Sequence, residues 1–132
     1  MGMLIGLLAV PQGSVALGAI GWGEEILEQQ PEWYGSAEAR AAADNVLIYQ
    51  SELGAWPKNW NLLAPIATED LEKLNKSTEA NTIDNGATTL PMRFLALVHQ
   101  ASPDEKYRAA FTRGVNYLLD SQYPNGGFPQ FF

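Results

Sequence analysis

The residues whose types and spacing could do chemistry fall in two short polar stretches. Thr82-Ile83-Asp84-Asn85-Gly86-Ala87-Thr88-Thr89 compresses a carboxylate, a carboxamide, a glycine and several hydroxyls into eight residues between apolar segments. Ala55-Trp56-Pro57-Lys58-Asn59-Trp60 sets a lysine and an asparagine among aromatic rings. Asn85-Gly86 is a strong turn signal, since both residues tolerate positive φ. By local chemistry alone Asp84 and Asn85 read as a helix cap, accepting the orphan N–H groups of the helix that follows. Lys58 and Asn59 read, on the same terms, as a solvated lysine and a turn asparagine.

The elements that must position these stretches are helical. Gly23–Gln30 has room for two turns with Ile26 and Leu27 inward, stopped by Pro31. Ser36 predicts an N-cap, and Ala39, Ala42, Ala43, Val46, Leu47, Gln50 and Leu53 continue at helical spacing to a stop at Gly54. Thr68-Glu69-Asp70 opens a short surface helix with only Leu71 and Leu74 as large apolar residues. Leu90, Phe94, Leu97, Val98 and Ala101 form one face of a helix starting near Thr89, where Pro91 is tolerable in the first turn. Ser102-Pro103-Asp104-Glu105 reads as a capping box with proline at the first helical position. The helix beyond it carries Tyr107, Ala110, Phe111, Gly114, Leu118 and Gln122 on one face, and Asn125-Gly126-Gly127 ends it. The predicted helices are therefore near 36–53, 89–101 and 104–122.

A repeat ties the ends of two of these helices together. Gln50, Gly54, Trp56 and Pro57 recur as Gln122, Gly126, Phe128 and Pro129, each 72 residues on, and Val46-Leu47 matches Leu118-Leu119. Repeated hairpins that cannot bury their apolar faces alone do so by stacking. Glycine turns the chain, proline stiffens the exit, the aromatic ring covers the helix end, and glutamine bonds freed carbonyls. The fold expected is all-α, an α/α toroid that this chain forms incompletely. Phe94, Val98, Phe111 and Leu118 are then expected to lack part of their neighbours.

Composition narrows the function. A chain of 132 residues is at most one small domain, and 46% apolar content suits a globular one. With no cysteine there is no disulfide, zinc–thiolate site or thiol nucleophile. A net charge of −7 argues against nucleic acid as a partner. Residues 1–20 hold no charged side chain, and Met3–Val10 is an apolar run of signal-peptide length, too short for a membrane span. They read as a signal peptide or N-terminal arm, with 21–132 the folded unit, which makes the chain secreted or periplasmic. His99, the only histidine, reads as structural, and no self-contained calcium-loop motif is present.

Taken in order, Glu32-Trp33-Tyr34, Ala43-Asp44-Asn45-Val46-Leu47, Gly54-Ala55-Trp56-Pro57-Lys58-Asn59, Thr82 to Thr89 and Gln122 to Phe131 resemble the pectate lyases of polysaccharide lyase family 10. The resemblance covers about residues 31–132. It implies an (α/α)3 toroid with a groove across one rim and calcium-assisted β-elimination of polygalacturonate (pectate), by a protein that is a monomer when full length. It implies calcium as the cofactor, an arginine that takes the C5 proton, and Asp84 in the calcium and substrate cleft with Asn85 beside it. Lys58 and Asn59 are implied as uronate contacts on the same rim. No residue is assigned as catalytic, because the arginine base is expected beyond Phe132. Arg93, Arg108 and Arg113 match no catalytic motif. Pro91, His99 and Phe128 depart from the family pattern. The acidic chain and an acidic polymer are reconciled if Asp84, neutral oxygens and the substrate's own carboxylates share a cation. Two other readings compete, the first of which shares the repeated cap. A terpene-cyclase-like toroid would want an acidic cluster that this sequence lacks. A non-catalytic carbohydrate-binding module would use Trp56, Trp60 and Tyr123 as stacking platforms.

Overall fold

The computed structural model describes residues 20–132, so the signal-peptide reading of the N-terminal stretch lies, Ile20 apart, outside the described residues. Among the described residues four α-helices follow in order: α1 (Ala37–Ile48), α2 (Thr68–Asn75), α3 (Thr89–Ala101) and α4 (Glu105–Ser121). Short 3-10 turns at Glu24–Leu27, Pro31–Gly35, Thr78–Ala80 and Asp84–Gly86 shape the connections. The fold is all-α. Among the described residues the only β-type pairing is two isolated antiparallel bridges, Trp56 to Thr82 and Thr82 to Phe131.

Helix α1 begins as its sequence dictates, with the Ser36 hydroxyl accepting from Ala39 N–H at 3.1 Å. Its buried face is Ala39, Ala42, Ala43 and Val46, small enough for close approach. Helices α3 and α4 pack on it, with Phe94, Leu95, Val98, Tyr107 and Ala110 in the core. Phe94 is the hub of an aromatic cluster: Trp22, Trp33 and Tyr34 lie 6.1, 6.1 and 6.5 Å away between ring centroids. Asn45 uses its carboxamide to tie down the 61–66 loop, donating to Leu62 O at 2.7 Å and Ala64 O at 2.9 Å. Tyr49 adds a third tie, its hydroxyl donating to Ala64 O at 2.7 Å.

Several boundaries differ from the sequence reading. Helix α1 stops at Ile48, before Gln50 and Leu53, because Tyr49 and Gln50 N–H turn back to the carbonyls of Val46 and Leu47 in 3-10 closures. Gly54 therefore lies in a separate turn, and Leu53 is exposed. Pro31 does not simply stop a helix but opens the next 3-10 turn, and the preceding helical piece is only Glu24–Leu27. The α4 cap is Asp104, whose carboxylate accepts from Lys106 N–H at 3.1 Å, so Pro103 precedes the helix instead of starting it. His99 explains the shift, since its Nδ1 accepts the Asp104 N–H at 3.0 Å and holds the cap in place. Phe94 and Val98 are fully buried, against the expectation that they would lack neighbours; Phe111 and Leu118 are only partly covered. Tyr117, which the helical pattern passed over, is buried in α4.

The repeat is a repeat of hydrogen bonds. Gln50 Nε2 donates to Gly54 O at 3.0 Å, and Gln122 Nε2 to Gly126 O at 2.9 Å. Ser51 N–H reaches Ala55 O at 2.9 Å, matched by Tyr123 N–H to Gly127 O at 2.7 Å. Gly54 and Gly126 take φ of 97° and 89°, the left-handed region that glycine enters without a Cβ penalty. Each glutamine thus braces its own turn, where the sequence suggested a bond to the helix-end carbonyls. Trp56 does cover the helix end, its Nε1 donating to Val46 O at 2.9 Å.

Candidate functional site

Three loops meet on one rim of the molecule: the 55–60 loop after the first turn, the 82–88 segment before α3, and the 128–131 loop after the second turn. Thr82 is the strut between them. It is fully buried, and its backbone bridges Trp56 on one side and Phe131 on the other. Its hydroxyl donates to Gln130 O at 2.5 Å and accepts from Asp84 N–H at 3.1 Å. Thr88, also fully buried, donates to Thr82 O at 2.7 Å and accepts from Trp56 N–H at 3.0 Å. Two hydroxyls thereby satisfy the backbone of a segment that has no sheet or helix ladder to do so.

Asp84 does not cap α3, whose N-cap is Thr88 and whose first turn receives no side-chain capping bond. Its carboxylate faces the rim. Oδ2 receives Lys58 Nζ at 2.7 Å and Gln130 Nε2 at 3.2 Å. Lys58, first through its hydrogen bond and then through its charge, holds the Asp84 carboxyl below the usual carboxylate range, with Gln130 and the Asn85 N–H adding to the effect. The Lys58 ammonium also lies 5.5 Å from the centre of the Phe131 ring. Asn59 and Asn85 take φ of 63° and 52°, so each turns the chain outward at the edge of the site. That non-helical Asn85 is why the cap expected here becomes a kinked 3-10 turn.

Two open depressions flank Asn85. The first, about 370 Å³, is lined by Lys58, Asn59, Trp60, Asn61 and Asn85, with Trp22 and Leu90 at its apolar wall. The second, about 450 Å³, runs past Asp84 to Phe128, Pro129 and Gln130. The lining of the first holds one cation, Lys58, whose ammonium is already paired with Asp84, and three carboxamides, with no acidic residue of its own. Of the proposed stacking rings, Trp56 is buried and unable to stack on a ligand, Trp60 lines the first depression, and Tyr123 lies in the exposed second turn.

All four sequence-derived residues, Lys58, Asn59, Asp84 and Asn85, thus stand at one place. Gln130 and the struts Thr82 and Thr88 were missed. The repeat held the signal for Gln130: it stands 72 residues after Lys58, and the two equivalent side chains converge on the same carboxylate oxygen. The arginines are elsewhere. Arg93 pairs with Glu24 at 3.6 Å, Arg108 with Glu105 at 3.5 Å, and Arg113 donates to Gln50 Oε1 at 2.5 Å. None lines either depression.

The donors present do not make a calcium site unaided. Calcium takes six to eight oxygens, commonly from several carboxylates. Here one carboxylate is available, one of its oxygens already holds an ammonium, and no group of three acidic or histidine side chains converges among the described residues.

Helices closed by a repeated turn, with polar depressions where the exits of the two turns converge, define a helical-repeat protein with a polar rim. The pectic acid lyase family model matches residues 50–132, both turns and the whole rim. The chain belongs to the pectic acid lyase family. Two solved structures of the family 10 polysaccharide lyase from Cellvibrio cellulosa are similar to it. One, a point mutant in complex with trigalacturonic acid, is 38% identical with a TM-score of 0.56, the match covering 70% of this chain and 27% of that one. The other is 37% identical with the same TM-score of 0.56, covering 76% and 30%. This chain therefore spans under a third of the length of those structures. No curated protein matches it.

Proposed function

We propose that this chain supplies one rim of a pectate lyase cleft and binds the uronate units of polygalacturonate there. The observation that carries the reading is the first depression, where Lys58 stands among Asn59, Asn61 and Asn85 with no acid in the lining. Lys58 neutralises a uronate carboxylate, and the carboxamides of Asn59 and Asn85 bond its hydroxyls. Asp84, through the 2.7 Å ion pair, aims the ammonium. Family membership and the trigalacturonic acid carried by a related structure support this choice of ligand. Polygalacturonate is a polymer found outside the cell, which supports reading the chain as a secreted or periplasmic protein. Among the described residues no helix is long and apolar enough to cross a membrane.

Calcium enters the proposal as a cation shared with the substrate. Asp84 is its one carboxylate ligand from this chain, gained only by exchange for Lys58, and uronate oxygens complete the shell. The elimination step needs a base against the C5 proton, and no arginine of this chain lines either depression. The rim therefore binds without turning substrate over. Incubation with polygalacturonate and calcium, followed by the ultraviolet absorbance of the unsaturated product, tests this. No turnover is expected; steady, chelator-sensitive turnover would place the base on this chain, with Lys58 and Arg93 the first residues to substitute.

A further inference from the structure

Two tryptophans border the first depression, and both differ from the core tryptophan beside them in sequence. Trp56 is fully buried, with its Nε1 bonded to Val46 O. Trp22 and Trp60 are only partly buried, and each keeps surface in the lining of the depression. Both are braced by a buried ring. Phe94 meets Trp22 edge-on, with ring centroids 6.1 Å apart and planes at 78°. Tyr49 lies 6.1 Å from Trp60 at 56°, and its own hydroxyl is anchored to Ala64 O at 2.7 Å. Asn45 fixes the chain just after Trp60 through Leu62 O and Ala64 O. The two indoles are thus set in place before a ligand arrives, and little side-chain freedom remains to be lost on binding.

The rest of the lining has the opposite character. Lys58, Asn59, Asn61 and Asn85 bring polar groups to the same space. A bare ion would leave the indoles unused, and a wholly apolar ligand would strand the carboxamides without partners. A ligand with one flat C–H face and a rim of oxygens meets both kinds of wall. A galacto-configured pyranose has that form, because its axial oxygen at C4 leaves the C–H bonds at C3, C4 and C5 together on one face.

We propose that Trp22 and Trp60 are the stacking walls of a sugar subsite, in which a galacturonate ring lays its C3–C5 face on an indole while its oxygens meet the polar edge. The proposal rests on the reading of the rim as a uronate site and adds the residues that select the ring face. Trp22 precedes residues 50–132, the stretch that the family model matches, so one wall comes from the segment ahead of α1. Stacking covers the C5–H bond. The unit held here is therefore not the one that loses its proton, which agrees with a lining that contains no arginine.

Titration of the whole 132-residue chain with trigalacturonic acid, followed through the indole N–H resonances of its four tryptophans, tests this. The signals of Trp22 and Trp60 should shift saturably, while those of Trp33 and Trp56, whose indole nitrogens are buried, should stay. Saturation transferred from the aromatic protons of the protein should reach sugar H3, H4 and H5 more strongly than H1 and H2. Trp60→Phe, which keeps a ring, should bind within about twofold of the parent, and Trp60→Leu should lose roughly three- to tenfold. Trp22→Leu should lose as much, and it stands in should Trp60→Leu fail to fold. Binding that leaves the Trp22 and Trp60 signals unmoved, that moves all four alike, or that is equal in the Phe and Leu variants overturns the inference and leaves the role of Lys58 intact. No binding by the parent chain overturns both.

Discussion

Alanine placed at Gly54 and at Gly126 separates two penalties that usually come together. Both glycines have φ near 90°, so alanine at either site suffers backbone strain of about 1–2 kcal/mol. Only at Gly54 does the new methyl meet main chain, since the Arg113 carbonyl carbon would lie 2.7 Å away and cannot rotate aside as a side chain would. Forcing α4 back to make room adds about 1–3 kcal/mol of overpacking, and loosening the Gln50 bond to Ala110 about 1 kcal/mol more. Gly54→Ala should therefore cost about 4 kcal/mol and Gly126→Ala about 1.5 kcal/mol. Urea unfolding of both variants measures the difference. At a slope of about 2 kcal/mol per molar, the midpoints should fall by roughly 2 M and 0.7 M. Equal shifts would show that conformational strain alone governs these turns and that the close approach of α4 is not a constraint.

Other expectations follow from the rim and the core. Thr82→Val removes a hydroxyl that bonds both Gln130 O and Asp84 N–H and should cost about 2–3 kcal/mol, read by thermal or urea unfolding. Asp84→Ala should leave the melting temperature near the parent's, because the carboxylate caps no helix, yet weaken trigalacturonate binding by freeing Lys58 from its aim. Since Lys58 depresses the Asp84 carboxyl, the ion pair contributes above the ordinary carboxylate pKa and is lost only as pH falls through the lower folded value; a carboxylate NMR titration should show Asp84 protonating later than a free aspartate. Burial, with the Asp44 carboxylate beside it, raises the Tyr107 phenol. The folded chain then holds that proton more tightly, so stability is complete below the ordinary tyrosine pKa and declines as pH rises through the folded value. Phenolate absorbance followed with a melting series checks both.

The periodic parts of this chain were legible because they obey one rule at a time. The α3 start at Thr89 with Pro91 in its first turn, the Ser36 cap and the surface helix at Thr68 follow from local spacing and capping chemistry. The end of α1 was not, because Gln50 and Leu53 fit the helical period while a tertiary bond from Gln50 to α4 recruits that residue into a turn. Helix chemistry also misplaced the α4 cap, which is fixed by a contact from His99 in the previous helix. At the rim, the residue types Lys58, Asn59, Asp84 and Asn85 stood out in sequence. What holds them was hidden, since Thr82 and Thr88 look like ordinary turn hydroxyls until the 55–60 and 128–131 loops are seen on either side. Gln130 was within reach of the 72-residue repeat, read one position beyond its proline.

The central claim is that the rim recognises a uronate carboxylate through Lys58. Calorimetric titration of the chain with trigalacturonic acid, set beside its neutral trigalactose counterpart, tests it most directly. The account predicts saturable binding of the uronate that weakens with salt, no measurable binding of the neutral sugar, and a roughly ten- to hundred-fold loss of uronate affinity in Lys58→Met, the scale of one charge-assisted hydrogen bond. Equal affinity for both sugars, or undiminished uronate binding by Lys58→Met, would contradict it.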